Sequence, residues 1–350
     1  MKIFDKKKLK DKEIKIMCRQ MSSMSRSGCN IVKIFETIIG SSSINMARAL
    51  NISKKNVESG KSLAESFANS NQFSKFFVNM IHAGEVSGNI DYILERLSLY
   101  YEREDKLRSK IISVSIYPVI LIIVSIIALN FVMLFVIPNF EMAFSIESME
   151  LPNSTRRVFA ISNYLRKNII YIFISVVAII GYIIKSIKGD YRYKLWIDEA
   201  LFKIPIVKKI NVLIISDKFS RVLSILLDSG VHIVDALDIS SKILNNSYAE
   251  DRLKIAKNNI EKGNNVTDSL ELSGIFPRIF ISMIESGEEA GRFNEALDTV
   301  GKYYEEELDI ELENFIKMFE PVMIVLMGVL IGATMIVLLS PMFDIISSIS

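Results

Sequence analysis

Apolar residues recur along this chain at helical spacing, and three long stretches contain no charged residue. These stretches are residues 111–137, 168–184 and 321–343. The first has 27 residues. As a helix rising about 1.5 Å per residue, it exceeds the ~30 Å hydrocarbon core of a bilayer. The second has 17 residues, which is the short end of the spanning range. The pattern predicts three transmembrane helices, one in each stretch.

Basic residues beside these stretches predict how the chain is oriented. Lys106 and Lys110 precede the first stretch, Lys185 and Lys188 follow the second, and the tail after the third has no basic residue. Loops rich in Lys and Arg stay on the cytoplasmic side of a membrane. We therefore expect a basic N-terminal segment at 1–15, a cytoplasmic bundle at 16–110, an external loop at 138–167, a second cytoplasmic bundle at 185–320 and an external tail at 344–350.

The two predicted cytoplasmic regions are copies of each other. Residues 60–140 align with residues 263–343 at a shift of 203, without a gap, and 19 of the 81 aligned positions are identical. Chance gives roughly five or six identities, so duplication is the better interpretation. Further upstream, a shift of 202 places Arg19 on Arg221 and Gly28 on Gly230. Each copy is directly followed by a predicted membrane helix, and the stretch at 168–184 returns the chain to the cytoplasm.

The spacing within each copy predicts helices and no strand of useful length. In the first copy the helical segments fall near 11–27, 30–39, 43–59, 62–69, 74–83 and 89–137. The last segment passes from a charged half into the first uncharged stretch without a break. The sequence therefore predicts an all-α membrane protein with two repeated six-helix cytoplasmic bundles and three transmembrane helices.

Composition narrows the classes of function. Apolar residues make up 50% of the 350 residues, and the mean hydropathy of +0.31 is high for a soluble enzyme. The 42 basic and 40 acidic residues leave a net charge of +2, so bulk charge does not favour nucleic acid as a partner. The Lys-rich N-terminal segment lacks the apolar core of a secretory signal peptide. Its lysines suit anionic lipid headgroups.

A six-residue motif is duplicated before the last helix of each copy. It is AGEVSG at 83–88 and SGEEAG at 286–291. A glycine just past an apolar helix suits a left-handed cap, and the glutamate is placed to accept hydrogen bonds from the first amides of the following helix. A tight turn between helices is one interpretation; a surface turn that a partner protein recognises is the other, and both can hold. The candidate residues are Gly84, Glu85, Gly88, Gly287, Glu288 and Gly291.

Prolines mark both ends of two uncharged stretches. Pro118 and Pro321 lie at the predicted membrane entrances, and Pro138 and Pro341 at the exits. Proline removes a backbone amide and clashes with the preceding turn, so we expect a kink or a helix end there, with a working hinge as the alternative. Glu320 is an acidic residue at the interface, where desolvation costs less than at the bilayer centre. It suits either a snorkelling position or a contact with a partner's charged group.

Residue patterns for chemistry are missing from the sequence. His82 and His232 occupy non-equivalent positions of the two copies and have no nearby Cys or His, so zinc is not expected. The spacing of Cys18 and Cys29 fits neither zinc nor a disulfide framework. There is no phosphate-binding loop and no nucleophile elbow. We predict no catalytic residue, no cofactor and no metal site, and therefore no enzyme.

Taken together, the motifs resemble the F family of type II secretion, the polytopic platform proteins of type IV pili, type II secretion and DNA-uptake pseudopili. The segments that carry the resemblance are 80–102 and 283–307, with Lys110-Ile111 and Tyr117-Pro118 before the first membrane stretch and Pro138 closing it. Ser115 stands where an aliphatic residue is usual in the family. The resemblance covers about residues 12–343.

The resemblance implies a non-catalytic platform in the cytoplasmic membrane. Its implied partners are a hexameric assembly or retraction ATPase, pilins or pseudopilins, membrane lipids and further copies of the chain. A membrane-tethered signalling scaffold and a transporter subunit are the alternatives. A transporter is disfavoured because its repeats lie within the membrane and bring charges to the midplane, whereas the uncharged stretches here carry none. A scaffold needs an external ligand domain, for which a loop at 138–167 is small.

Overall fold

The computed structural model describes residues 9–139 and 191–349, with isolated residues between 157 and 171. Nearly all of the predicted transmembrane helix at 168–184, most of the predicted loop at 138–167 and residues 1–8 of the N-terminal segment lie outside the described residues. The part of the chain that is described forms thirteen α-helices and one π-helical segment, with no strand. The prediction of an all-helical fold is confirmed.

The first copy of the repeat forms six helices. They are α1 Asp11–Arg26, α2 Ile31–Ser41, α3 Ile44–Glu58, α4 Leu63–Ser70, α5 Lys75–Ser87 and α6 Ile90–Phe131. Serine side chains begin three of them: Ser43, Ser62 and Ser74 each accept a hydrogen bond from an amide in the first turn of α3, α4 and α5. Serine favours this position because its hydroxyl satisfies an amide that has no partner within the helix.

The second copy repeats this order after one additional helix, α7 Tyr191–Lys203. Its helices are α8 Pro205–Asp228, α9 Ile233–Ile243, α10 Ser247–Glu261, α11 Val266–Ser273, α12 Arg278–Glu289 and α13 Phe293–Ile349. After a shift of 202 or 203, the bounds of α2, α3 and α4 coincide with those of α9, α10 and α11. The duplication seen in the sequence is therefore a duplication of helices.

Each copy buries an equivalent aromatic core. In the first, Phe73 stacks on Phe77 with ring centroids 4.6 Å apart. In the second, the aligned Phe276 stacks on Phe280 at 4.1 Å. Phe77 and Phe280 are fully buried. Such pairs stabilise a core beyond the area that they bury, by about 0.5–1.5 kcal/mol each, and they hold α5 and α12 in corresponding places.

The sixth helix of each copy is far longer than the others. Counting the π-helical segment Val132–Val136, the first continues over 50 residues as Ile90–Asn139. The second, α13, has 57 residues. Both continue through Pro118 and Pro321, so neither proline ends a helix, and the kink or hinge expected there stays a prediction. Proline costs a helix one hydrogen bond, but a backbone in lipid has no other way to satisfy its remaining polar groups.

The chain divides into two compact units. One contains the described residues as far as Lys110 together with Leu195–Asp309, and thus the bundled helices of both copies. The other contains the rest of α6 from Ile111 and the rest of α13 from Ile310. The site described next lies within the first unit.

Candidate interaction site

Gly84 and Gly287 lie inside helices rather than in a turn. The structure extends α5 to Ser87 and α12 to Glu289, so the predicted helix end at residue 83 is wrong. A Cβ atom on Gly84 would lie 3.0 Å from Cγ1 of Ile93, and one on Gly287 would collide with Cβ of Ala296. These glycines allow the last helix of each copy to pack closely against the helix before it.

Glu85 and Glu288 cap a different helix from the predicted one. The Glu85 carboxylate accepts hydrogen bonds from the amides of Leu63 and Ala64, at 3.0 Å for Ala64. The Glu288 carboxylate accepts from the amides of Val266 and Thr267, at 3.3 and 3.0 Å. These amides begin α4 and α11, so the glutamates close back onto an earlier helix instead of capping the next one. A carboxylate suits that position because the amide end of a helix carries partial positive charge.

Only the last glycine of each motif adopts the left-handed conformation that was expected. Gly88 has φ +71° and Gly291 has φ +69°. The next amide, from Asn89 or Arg292, bonds back to the carbonyl of Gly84 or Gly287 at 3.0 or 2.7 Å. A hydrogen bond from an amide to the carbonyl five residues earlier is characteristic of a Schellman cap. Glycine is favoured here because other residues are strained at positive φ.

The duplicated motif therefore has a structural role within the module. Its glycines and glutamate join three helices of each copy, α4, α5 and α6 or their equivalents. Other residues of the motif are exposed to solvent. Val86 is 76% exposed, and Ser87 and Glu289 are also exposed. The side chains of Ser286 and Ala290 in the second motif are exposed as well. Recognition of this turn by a partner stays a prediction, and these exposed side chains are available for it.

A cluster of four charges, two of them on buried residues, joins the two copies, and sequence reasoning missed it. Arg103 of α6 approaches Glu305 of α13 at 2.8 Å and Asp217 of α8 at 3.7 Å. Arg221 of α8 binds the same two carboxylates at 3.0 Å (Asp217) and 2.6 Å (Glu305). Arg103 is only 8% exposed and Asp217 only 1%. Two arginines and two acids thus alternate, so each charge faces the opposite sign.

Burial opposes the ionised forms of Asp217 and Arg221. Desolvation raises the pKa of the Asp217 carboxyl, although Arg221 and Arg103 act in the other direction. Desolvation lowers the pKa of the Arg221 guanidinium, but the opposite charges of Asp217 and Glu305 outweigh it and hold this pKa above its ordinary value. A buried pair of this kind is costly to break, because removing one partner leaves the other charge without compensation.

Further ion pairs between the copies surround this cluster. They join Lys218 to Glu104 at 2.6 Å, Lys110 to Asp309 at 3.3 Å and Arg96 to Asp228 at 3.9 Å. The sequence alignment contains a signal for this interface: Arg103 aligns with Glu306, and Asp217 aligns with Lys15. Charge reversal at aligned positions of a repeat indicates that the two copies use those positions differently.

The remaining candidates lie on the long helices. Pro118 is inside α6, and Pro321 and Glu320 are inside α13. The Glu320 side chain is exposed, and its contact with a partner stays a prediction. Within the described residues no group of three His, Cys, Asp or Glu side chains is arranged to hold a metal ion.

These features define a class of protein: a helical membrane protein built from a duplicated module, each copy of which continues into a long helix. Comparison with known proteins gives the family. The model of the type II secretion system protein F family matches residues 17–138 and again residues 219–341. The chain belongs to this family, which consists of non-catalytic platform proteins. The family resemblance and the expected absence of catalysis are therefore confirmed.

Relatives align along almost the whole chain. It is 31% identical to the type IV pilus assembly protein PilC of Pseudomonas aeruginosa, covering 97% of this chain and 91% of the relative. Identity is also 31% to PilC of Thermus thermophilus, over 97% and 84% of the two chains. The type II secretion system protein F of Aeromonas hydrophila is 25% identical over 95% and 86%.

Proposed function

We propose that this chain is the cytoplasmic-membrane platform of a filament-building machine, coupling a hexameric assembly or retraction ATPase to the insertion of pilins or pseudopilins. Membership of the family supports the platform role. A type IV pilus is favoured over a secretion system because identity is 31% to two pilus assembly proteins and 25% to the type II secretion protein quoted above.

The observation that carries the proposal is the continuity of α6. This helix begins in the aromatic core of the first copy and enters the uncharged stretch 111–137 without interruption. Only 6% of the most apolar part of this helix is buried within the protein. Such low burial suits a helix that is surrounded by lipid rather than by a soluble core. Movement of the bundle is thereby passed to the same helix in the membrane, and no reactive side chain is required.

The proposed membrane arrangement follows from sequence charge. Both copies of the module lie in the cytoplasm, where an ATPase is available to them. Three apolar stretches contact lipid, residues 138–167 and the tail 344–350 face outward, and the outer loop is placed to meet pilins. Among the described residues, the helix Ile90–Asn139 is long and apolar enough to cross a membrane.

A crosslinking experiment in native membranes tests this function. A photoreactive amino acid is introduced into the full chain at Ile44, Val86 or Leu272, which are 80%, 76% and 61% exposed. Position Ser154, in the predicted external loop, is the matched control. We expect an adduct with the assembly ATPase from at least one of the three positions and none from Ser154. Absence of the ATPase from all three, with the protein inserted and abundant, contradicts the proposal.

A further inference from the structure

The helix α7 lies between the uncharged stretch 168–184 and the repeated helices of the second copy. It carries Trp196, which is the one tryptophan of the chain and is 68% exposed. A tryptophan has a large apolar body and a polar N–H group, so it suits a place where one end is apolar and the other is wet. The exposed ring therefore directs attention to what surrounds α7.

One face of α7 is fixed to the second copy. The Asp198 carboxylate accepts a hydrogen bond from the amide of Ser247, at the start of α10, at 2.7 Å. Phe202 packs on Tyr248 of α10, with ring centroids 4.8 Å apart. Residues four apart share a helix face, so Asp198 and Phe202 form the inner face and Trp196 lies on the opposite one. The helix is thus anchored on one side and exposed on the other.

The exposed side of this region combines apolar and basic residues. Ile204 and Ile206, which flank the first residue of α8, are 49% and 42% exposed. The Lys203 side chain is 74% exposed and approaches Glu199 at 3.2 Å. Two further lysines near the start of α8 are also exposed. The α7 edge is defined here as Trp196, Lys203, Ile204, Ile206, Lys208 and Lys209.

Charge and chain length both favour a lipid surface as the occupant of this edge. Residues 185–209 contain seven basic and three acidic residues. Anionic lipids of the cytoplasmic leaflet attract basic segments beside a membrane helix, by about 1 kcal/mol for each Lys or Arg near the surface. Even fully extended, the chain from Ile184 to Tyr191 spans at most about 25 Å. A helix that begins so close to the predicted membrane stretch is within reach of the headgroups.

We propose that the α7 edge lies on the cytoplasmic surface of the membrane, with the Trp196 ring among the headgroups and the lysines against anionic lipid. Tryptophan is enriched at this level of a bilayer, and a helix in the interface binds through its apolar residues together with its basic ones. Because Asp198 and Phe202 fix α7 to α10, the second copy is then tethered to the lipid surface. The inference rests on the proposed membrane arrangement, but not on the ATPase or the pilins.

Fluorescence of the full chain in vesicles tests this placement, because its tryptophan signal comes from Trp196 alone. The vesicles contain phosphatidylcholine and phosphatidylglycerol whose acyl chains carry quenching bromine atoms either near the headgroup or near the chain end. We expect quenching by the upper bromines to be at least about twofold stronger than quenching by the deep ones. The matched control moves the tryptophan to another exposed position of the second copy, as Trp196→Phe with Leu272→Trp, where aqueous iodide should quench and the bromines should not.

Lipid charge provides a second readout. Quenching of Trp196 by the upper bromines is expected to fall about twofold in vesicles of phosphatidylcholine alone, and by a similar factor in anionic vesicles for Lys208→Glu. Equal quenching at Trp196 and in the Leu272→Trp control, or no response to lipid charge, would overturn the proposal.

A photoreactive amino acid in place of Trp196 distinguishes lipid from protein in native membranes. We expect adducts with lipid, and an adduct with a protein in their place would overturn the proposal. Failure of the membrane arrangement itself is seen separately, as labelling of Lys302→Cys by an impermeant maleimide in intact cells, and would overturn both proposals. With that labelling absent, an unquenched Trp196 overturns this inference alone.

Discussion

At the scale of the residue, the glutamate of the duplicated motif lies near a surface turn but caps another helix of the same module. Glu85 and Glu288 precede a surface turn, yet their carboxylates bind the first amides of α4 and α11. Because each copy makes the same bonds, we interpret this contact as part of the module's construction. A partner that recognises the turn must use the neighbouring exposed residues.

Replacing these glutamates with glutamine tests that role. Glu85→Gln or Glu288→Gln removes the charge that two helix amides share, and we expect each to cost about 1 kcal/mol of stability, as loss of a helix cap does. The two costs are expected to add, because the residues lie in different copies and share no partner. Thermal unfolding of the purified full chain measures the change. Glu289→Gln, at an exposed position beside Glu288, is the control and should leave the unfolding temperature unchanged.

The motif glycines allow a second prediction. Replacing Gly84 and Gly287 together with valine is expected to leave membrane insertion intact and to abolish filament assembly, because the added atoms separate the last helix of each copy from the helix before it. The Gly287 change should be the more severe, since its new Cβ meets Ala296, while the atoms near Gly84 include the flexible end of Ile90.

The control for the glycines is Gly40→Ala in α2, where an added Cβ has nothing within 4 Å. Membrane fractionation and electron microscopy of filaments measure insertion and assembly. Normal filaments from the double valine variant would remove the case for close packing at these glycines. Loss of filaments from Gly40→Ala would show that the assay responds to any change in the module.

At the scale of the element, helical periodicity and separating residues located most helices within a few positions. The predicted segment 43–59 is α3 Ile44–Glu58, and 62–69 is α4 Leu63–Ser70. The predicted helix end at residue 83 was wrong because a glycine after an apolar helix is typical of a helix cap. Gly84 instead lies inside α5, where close contact with Ile93 requires a small residue. The target of Glu85 could not be predicted, since α4 lies more than ten residues earlier and only the folded module brings it near. For the same reason the charge cluster around Asp217 was not found.

The charge cluster allows a prediction about how α6 is held against α8 and α13. Arg103→Ala leaves Asp217 and Glu305 with one guanidinium between them, and we expect a loss of about 3 kcal/mol, as for a broken buried ion pair. Lys106→Ala, one turn further along α6, removes an exposed pair with Glu102 and should cost less than about 1 kcal/mol. Denaturation of both full-length variants under identical conditions checks this. Equal losses would show that the cluster does not hold the copies together.

At the scale of the whole molecule, the chain is a duplicated helical module in which each copy continues into a long helix, and we propose that these helices act as mechanical links. The sequence predicted the duplication, the helical class and the family. The membrane arrangement follows from charge beside uncharged stretches, of which the one at 168–184 lies almost wholly outside the described residues.

The most direct test of the central claim is the side of the membrane on which each copy of the module lies. In a chain with Cys18 and Cys29 replaced by serine, a single cysteine is placed at Lys61 in the first copy, Lys302 in the second or Ser154 in the predicted external loop. Intact and permeabilised cells are then labelled with a membrane-impermeant maleimide. We expect Ser154→Cys to react in intact cells, and Lys61→Cys and Lys302→Cys only after permeabilisation. Labelling of Lys302→Cys in intact cells would place the second copy outside and contradict the account.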